Sequence, residues 1–424
     1  MLDTIIYTLH LIQYTYFQLE NGLKVIHHED VSTQLCVLNI LYDVGSKFEH
    51  PEKTGFAHLF EHLMFGGSVN IPQFDTPLQF AGGESNAFTS NDITNYYLTL
   101  PAPNIETGFW LESDRMLSLD FSQQSLDIQK NVVIEEYKER YLNPPYGDVW
   151  LRLLPLAYKT HPYRWPTIGK DISHIRDATL DDVRSFFKNF YCPNNAILVI
   201  AGNISLEKAT ALTHKWFGPI PMQPSKKTAY EQEPKQAEPR LEKVESSVPL
   251  DLLVKSYHTV PRNHPDYYAT DLVSDMLGSG KSARLYNALV KENRLFSELD
   301  CYLTGDIDAG LIVIEGKLLS GVSVEKGEKA IEETLLLFCE KGVPPEELEK
   351  VKNKTETNIR FNDIGVLNKA MKLAYTCLLG DINLVNEEVD HYHSVTTTDI
   401  SRVSKELFNP NNCSTLYYLA KQNG

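Results

Sequence analysis

Residues 54–67 read T-G-F-A-H-L-F-E-H-L-M-F-G-G and place two histidines and a glutamate close together. His58 and His62 are four positions apart, so on an α-helix both imidazoles project from one face and can share one metal ion. Glu61 stands beside His62 and can reach a metal-bound water without being a ligand, as the general base of a hydrolytic zinc site must. The apolar residues of the stretch and its final Gly66-Gly67 pair favour a helix that stops there.

The order H-x-x-E-H is that of the inverzincins, the reverse of H-E-x-x-H. Two nitrogen ligands do not complete a zinc site, so a third ligand must come from elsewhere in the chain, and a catalytic zinc also keeps one position for water. The alternative is a solvated polar helix face with two ordinary histidines. The context of the motif must decide between the two.

A second helical stretch, residues 129–140, reads Q-K-N-V-V-I-E-E-Y-K-E-R and carries three carboxylates. Glu135, Glu136 and Glu139 cannot all face the same way on a helix, so at most one or two of them can enter a site made by the first helix. The alternative is a solvated acidic face. The residues alone leave the choice of third ligand open.

The composition indicates a globular protein with large cores. The chain has 424 residues, of which 42% are hydrophobic, and this length predicts two or three domains. The formal net charge of −16 argues against nucleic-acid binding and against binding to anionic membranes. The six cysteines are scattered, which favours a reducing compartment.

The N-terminus has an acidic residue where a signal peptide needs basic ones, and no stretch is long enough to span a membrane. We therefore expect a cytoplasmic protein, or a periplasmic one if a signal peptide has been removed.

The pattern along the chain predicts an α+β unit over residues 1–217. It begins with a hairpin about Asn21-Gly22 and continues with strands interleaved with helices, including one strand over residues 84–101 and a buried strand over residues 196–201. Residues 218–249 contain six prolines, many charges and few large apolar residues, which is typical of a linker. A second unit is predicted over residues 250–424.

A faint internal repeat relates the two units. H-P-E at residues 50–52 leads into the zinc motif, and H-P-D at residues 264–266 leads into T-D-L-V-S-D-M-L-G-S-G. In that alignment His58, Glu61 and His62 correspond to Asp271, Ser274 and Asp275. The second unit is therefore predicted to be a degenerate copy without metal ligands.

The chain resembles the pitrilysin/insulinase family of inverted zincins, in particular its half-length bacterial members that are similar to the β subunit of mitochondrial processing peptidase. The resemblance rests on the zinc motif and on four further motifs, S-N-A-F-T-S-N-D-I-T-N-Y-Y, N-V-V-I-E-E, H-P-Y-R-W-P-T-I-G and Y-C-P-N-N-A-I-L-V-I-A-G-N. It implies two similar α+β domains, each a mostly antiparallel sheet packed with helices, that form half of a clamshell. It also implies a zinc metalloendopeptidase with one Zn²⁺ per chain, acting on short or unstructured polypeptides.

The resemblance also assigns residues. Glu136 is the implied third zinc ligand, and Glu135 is its neighbour that points elsewhere. Residues 85–89 are implied to lie on an edge strand that binds the substrate as an additional β-strand, with Asn86, Ala87 and Phe88 as substrate-binding residues.

The sequence departs from the family pattern at two places. Many relatives carry a glutamate seven residues before the third ligand, where this chain has Gln129, an amide that can still bond a ligand or water around the metal. The substrate-binding arginine and tyrosine of the family fall on Val290 and Ser297. We therefore expect a heterodimer with a zinc-less homologous chain that supplies this pair, with a homodimer as the alternative. A non-catalytic structural or chaperone-like subunit is the rival function.

Overall fold

The computed structural model describes residues 11–224, 227 and 229–421. The N-terminal residues that bear most directly on a signal peptide lie outside this part of the chain. The described residues form two α+β units, each built on one sheet, which confirms the predicted fold class. None of the described helices combines the length and the apolar character needed to cross a bilayer.

The first unit starts with the predicted hairpin, in which β1 (Thr15–Gln18) pairs with β2 (Lys24–Glu29) and Gly22 adopts a positive φ of 85°. Its strands are β1 (Thr15–Gln18), β2 (Lys24–Glu29), β3 (Leu35–Tyr42), β4 (Glu84–Thr89), β5 (Thr94–Pro101) and β6 (Ala196–Gly202). Its helices are α1 (Phe56–Leu63), α2 (Asp75–Phe80), α3 (Ile105–Leu117), α4 (Gln123–Tyr137), α5 (Val149–Ala157), α6 (Ile172–Arg176), α7 (Leu180–Phe190) and α8 (Leu206–Trp216).

The second unit repeats this plan. Its strands are β7 (Arg240–Ser246), β8 (Leu252–His258), β9 (Phe296–Leu303), β10 (Leu311–Leu318) and β11 (Cys413–Ala420). Its helices are α9 (Tyr267–Gly278), α10 (Val324–Lys341), α11 (Pro345–Asn362), α12 (Val366–Leu379), α13 (Leu384–Ser394) and α14 (Thr397–Leu407).

The two sheets have the same topology. The first has the order β1-β2-β6-β3-β5-β4 and the second β7-β11-β8-β10-β9. In each sheet the strand that ends the unit, β6 or β11, is parallel to one neighbour and antiparallel to the other. Apart from the additional strand β1, each strand of one sheet has a counterpart in the other, so the sequence repeat reflects a duplicated fold.

One helix of each unit packs against the sheet of the other unit. Helix α12 of the second unit covers the outer face of the first sheet, where Leu373 and Ala374 pack on Val37 and Val199. Helix α5 of the first unit covers the second sheet in the same way, with Leu153 packed among apolar residues of β8, β10 and β11. Because each sheet is completed by a helix from the other half of the chain, the two units are interlocked.

Three details differ from the predicted pattern. Residues 84–101 were expected to be one strand but form the hairpin β4–β5, whose turn at residues 90–93 contains neither Gly nor Pro. The segment predicted as a linker contains β7, an edge strand that pairs with β11. Helix α5 was not predicted, because its apolar side is buried on a sheet that lies far along the chain. The domain boundaries stay a prediction.

A buried ionic cluster joins the two units at the turns of the hairpins β4–β5 and β9–β10. Lys47 lies 2.6 Å from Asp92 of the first turn and 3.1 Å from Asp308 of the second. Asp92 also accepts hydrogen bonds from the Tyr163 hydroxyl at 2.6 Å and from the Ile307 N–H at 2.9 Å. The cluster therefore fixes one hairpin turn against the other.

Two aspartates of the second turn have pKa values that are shifted in opposite directions. Burial and the nearby charge of Asp92 raise the pKa of Asp306 to about 6. Burial also acts to raise the pKa of Asp308, but bonds from His161 and Tyr230 and the charge of Lys47 hold it well below its usual range. The cluster thus contains one carboxyl whose pKa is raised and one whose pKa is lowered.

We predict that Asp306→Asn raises the free energy of unfolding at pH 7 by about 1–3 kcal/mol. The folded protein binds a proton at Asp306 more tightly than the unfolded chain does. The contribution of this group to stability is therefore complete below about pH 4 and is lost as the pH rises through about 6. Urea unfolding of wild type and variant between pH 4 and 7 measures this difference.

Asp308→Asn is the matched control, with the opposite sign: it should destabilise the protein at pH 7 by about 1.5–3 kcal/mol, because it removes a charged partner of Lys47. A wild-type advantage over Asp306→Asn that grows from pH 4 to pH 7 would contradict the assignment.

Candidate metal centre

Helix α1 is held at its N-terminus by a buried carboxyl group. Glu49 accepts hydrogen bonds from the N–H groups of Gly55 and Ala57, each at 2.8 Å. These are donors that a helix leaves unpaired in its first turn. Burial raises the pKa of Glu49 to about 8, although the N–H donors act to lower it. The cap fixes where the helix begins and therefore which residues face the rest of the site.

Gly55 is required at the entry to the helix. Its φ is 90°, a left-handed conformation, and a Cβ on it would lie 2.6 Å from the carbonyl oxygen of Ile168. The helix then buries Leu59, Phe60 and Leu63 in the core of the first unit. Because these residues face the core, His58 and His62 are directed towards α4.

The structure brings the two histidines and Glu136 together. The Nε2 atoms of His58 and His62 lie 3.6 and 3.3 Å from Oε2 of Glu136, and the two imidazole centroids are 4.8 Å apart. One ligand atom from each of the three residues lies within 4.8 Å of the others. The arrangement can hold one metal ion.

The chemistry of these three residues fits zinc. Two imidazole nitrogens and one carboxylate oxygen are a ligand set that zinc accepts, and three protein ligands leave a position for water. Burial, with the charges of His62 and Arg140, lowers the pKa of His58 to about 3. A histidine that is neutral at physiological pH has a free lone pair for a metal.

The other carboxylates of α4 and its continuation point away from the site. Glu135 is exposed and pairs with Lys138 at 2.7 Å, and Glu139 is also exposed. Arg140 lies in the π-helical turn that continues α4 and contacts Oε1 of Glu136 at 3.0 Å. One oxygen of Glu136 thus faces the histidines while the other is held by an arginine.

Glu61 is held by a residue of the neighbouring sheet. The Thr89 hydroxyl, at the end of β4, donates a hydrogen bond of 2.6 Å to Oε2 of Glu61. The carboxylate of Glu61 is therefore oriented by strand β4 as well as by helix α1.

Strand β4, which carries the predicted substrate-binding residues, lies at the edge of its sheet. In the described part of the chain it pairs with β5 on one side only. The Ala87 N–H donates to Oδ1 of Asn86 at 2.8 Å. The Phe88 side chain is 40% exposed and lines a cavity of about 540 Å³ with Met371 and Tyr375 of α12. Their role in substrate binding stays a prediction.

Three residues depart from the family pattern: Gln129 near the centre, and Val290 and Ser297 in the second unit. Gly66 lies just beyond the C-terminal end of α1, and the Gln129 Nε2 atom is 4.0 Å from the position that a Cβ on Gly66 would occupy. Val290 packs against the core of the second unit. The Ser297 hydroxyl donates to the Lys317 carbonyl at 3.1 Å. Val290 and Ser297 therefore offer no charged or aromatic group to a peptide.

Sequence reasoning missed Glu49, Arg140 and the bond from Thr89 to Glu61. Arg140 could have been found, since a residue four positions after Glu136 on a helix is its neighbour. Glu49 and Thr89 reach their partners through loops and across a sheet edge, where no sequence spacing indicates contact.

Two family descriptions match the chain. Residues 24–169 match Insulinase (Peptidase family M16), and residues 177–355 match the Peptidase M16 inactive domain. The chain is 30% identical over 405 residues to the zinc protease PqqE of Helicobacter pylori, with 94% of this chain and 91% of that protein covered.

Two further similarities extend over most of the chain. It is 24% identical over 409 residues to a probable mitochondrial-processing peptidase subunit beta of Schizosaccharomyces pombe, with 92% and 87% covered. The crystal structure of a protease from Helicobacter pylori matches with a TM-score of 0.91 at 28% identity, covering 96% of this chain and all of that one.

We predict that Gly55→Ala lowers the free energy of unfolding by about 2–4 kcal/mol, because the new Cβ meets the Ile168 carbonyl in a left-handed conformation. Guanidinium unfolding measures the change. Gly280→Ala is the matched control, since Gly280 has a φ of 83° but no atom within 4 Å of its added Cβ, and it should cost only about 1–2 kcal/mol. Equal losses in the two variants would contradict the close contact at Gly55.

Proposed function

Because the chain belongs to the M16 peptidase family, we propose that it is a zinc metalloendopeptidase that hydrolyses peptide bonds in short or unstructured polypeptides. The observation that carries the proposal is the convergence of His58, His62 and Glu136, with Glu61 one position before His62. A complete ligand set with an adjacent general base has no use in a purely structural subunit. It therefore supports an enzyme over the non-catalytic alternative.

In this proposal His58, His62 and Glu136 hold one Zn²⁺ through two imidazole nitrogens and one carboxylate oxygen. When bound, the ion lowers the pKa of a coordinated water towards about 7 and polarises the carbonyl of the scissile bond. Glu61 accepts the proton of the attacking water and later donates a proton to the leaving amine. Hydrolysis thus produces one carboxylate and one amine.

Strand β4 is proposed to bind the substrate. A peptide that adds to the free edge of a sheet gains main-chain hydrogen bonds and must be extended, which favours unstructured polypeptides. The alternation of β4 places Ala87 and Thr89 on the side of α1, and Asn86 and Phe88 on the exposed side. A bound strand would therefore pass close to Glu61.

We further propose that the active form is a heterodimer. In the family pattern an arginine and a tyrosine bind the peptide, and here Val290 and Ser297 stand at their positions. A zinc-less homologous chain that carries the pair would complete the site, whereas a homodimer would have two metal centres and no such pair. Among the relatives, the mitochondrial-processing peptidase subunit beta is named as a subunit.

We predict that Glu61→Gln reduces kcat by at least about 100-fold while the zinc content stays unchanged, because an amide cannot accept the proton of the attacking water. Digestion of an unstructured peptide library and metal analysis of the same preparations provide the two measurements. Glu139→Gln, at an exposed position in the turn that follows α4, is the control and should keep wild-type activity. Wild-type turnover by Glu61→Gln would refute the role of Glu61.

We predict that the zinc-loaded chain has little peptidase activity by itself and gains it with the partner with which it co-purifies from its native source. Peptide turnover before and after the partner is added is the measurement. Robust turnover by the isolated chain would exclude the need for a partner. A zinc-containing complex that cleaves no peptide would instead favour the non-catalytic role.

A further inference from the structure

We propose that Thr89 is a positioning residue for Glu61: its hydroxyl holds the carboxylate of the general base in the orientation that proton transfer needs. The inference rests on the proposed peptidase function. It adds that strand β4, besides binding the peptide, sets the geometry of the base.

The hydrogen bond gives the two carboxylate oxygens of Glu61 different surroundings. The Thr89 hydroxyl lies 2.6 Å from Oε2, a short distance that is typical of a hydroxyl donating to a carboxylate. Oε2 is therefore engaged, and Oε1 is the oxygen left to accept a proton from water. Because Glu61 has three side-chain torsions, a second anchor removes rotamers that would turn Oε1 away.

Thr89 is itself well fixed. It is the last residue of β4 and pairs with Thr94 across the hairpin. The turn that follows is held from the first unit, where the Lys47 N–H donates to the Asn91 carbonyl at 2.9 Å. Gly45 makes this approach possible, since a Cβ there would lie 2.4 Å from the same carbonyl oxygen.

The same turn is held from the second unit. The Asn91 side chain donates to Oδ1 of Asp306 at 2.8 Å, and the Ile307 N–H donates to Asp92 at 2.9 Å. A continuous set of contacts thus runs from the turn of β9–β10 through the turn of β4–β5 to Thr89 and Glu61. The second unit therefore helps to orient the proposed base in the first unit.

The position of Thr89 also joins substrate binding to the base. Thr89 follows Ala87 on the face of β4 that lies against α1, and a peptide added to this edge would bond the backbone of the same strand. The effect of removing the hydroxyl should appear in kcat more than in KM, since the bond acts on the proton transfer and not on the peptide.

Three substitutions separate the hydroxyl from the size of the side chain. Thr89→Val replaces the hydroxyl by a methyl group, Thr89→Ala removes both branches, and Thr89→Ser keeps the hydroxyl. Each is measured as the zinc-loaded protein, with its partner subunit if the wild-type chain needs one. An unstructured fluorogenic peptide serves as substrate, and zinc content and thermal unfolding are measured on the same samples.

We expect kcat to fall by about 10-fold to 100-fold in Thr89→Val and Thr89→Ala, with KM within about two-fold of wild type. Thr89→Ser should stay within about three-fold of wild type in kcat. Wild-type kcat in either hydroxyl-free variant, a loss confined to KM, or a Thr89→Ser variant as slow as Thr89→Val would overturn the proposal. If one hydroxyl-free variant does not fold, the other decides.

A crystal structure of Thr89→Val gives a readout that does not depend on turnover. The expected result is a Glu61 carboxylate that is disordered or has rotated, with helix α1 unchanged. An unchanged Glu61 orientation would overturn the inference. A zinc-loaded wild-type chain that shows no turnover even with its partner subunit, or Glu61→Gln with full turnover, would instead refute the proposed function, so the two failures are distinguishable.

Discussion

The packing of helix α1 against helix α4 is the contact on which the candidate centre depends. Leu59, Phe60 and Leu63 anchor α1 in the core of the first unit, and Val133 and Tyr137 anchor α4 in the same core. Each such side chain contributes about 1.5–3 kcal/mol when fully buried. This apolar packing fixes the distance between the two helices, so that the His58 and His62 imidazoles and the Glu136 carboxylate lie together.

The duplicated fold separates the helix packing, which both units share, from the candidate metal ligands, which differ between the units. Helix α9 of the second unit follows its strand as α1 does, and α11 packs on α9 as α4 packs on α1. At the positions that correspond to the histidines stand Asp271 and Asp275, which accept hydrogen bonds from Tyr392 and Thr355. The second unit thus keeps the pair of packed helices, but the two aspartates on α9 form hydrogen bonds within the protein. The second unit also contributes α12 and the turn of β9–β10 to the first unit.

Features that depend on residues close together in the sequence could be predicted, whereas features that depend on contacts between distant parts of the chain could not. The Asn21-Gly22 hairpin, the buried strand β6 and the two helices of the centre follow from local patterns, and the structure has each of them. Helix α5 was missed because its partners lie in the other unit, and strand β7 was missed because its partner β11 lies far along the chain, at the end of the second unit. At the centre, the four-residue spacing indicated that the histidines share a face, but only the family resemblance chose Glu136 over Glu135. The contacts of Glu49 and Thr89 depend on loop and sheet geometry that no spacing encodes.

The central claim is that three side chains from two helices bind one zinc ion. Zinc titration of the purified protein, with Glu136→Gln beside Glu135→Gln, tests it most directly, because the two variants make the same change at adjacent positions. The account predicts one zinc per chain in wild type and in Glu135→Gln, and an affinity at least about ten-fold weaker in Glu136→Gln. Equal zinc affinity in the two variants, or no zinc in the wild-type protein, would contradict it.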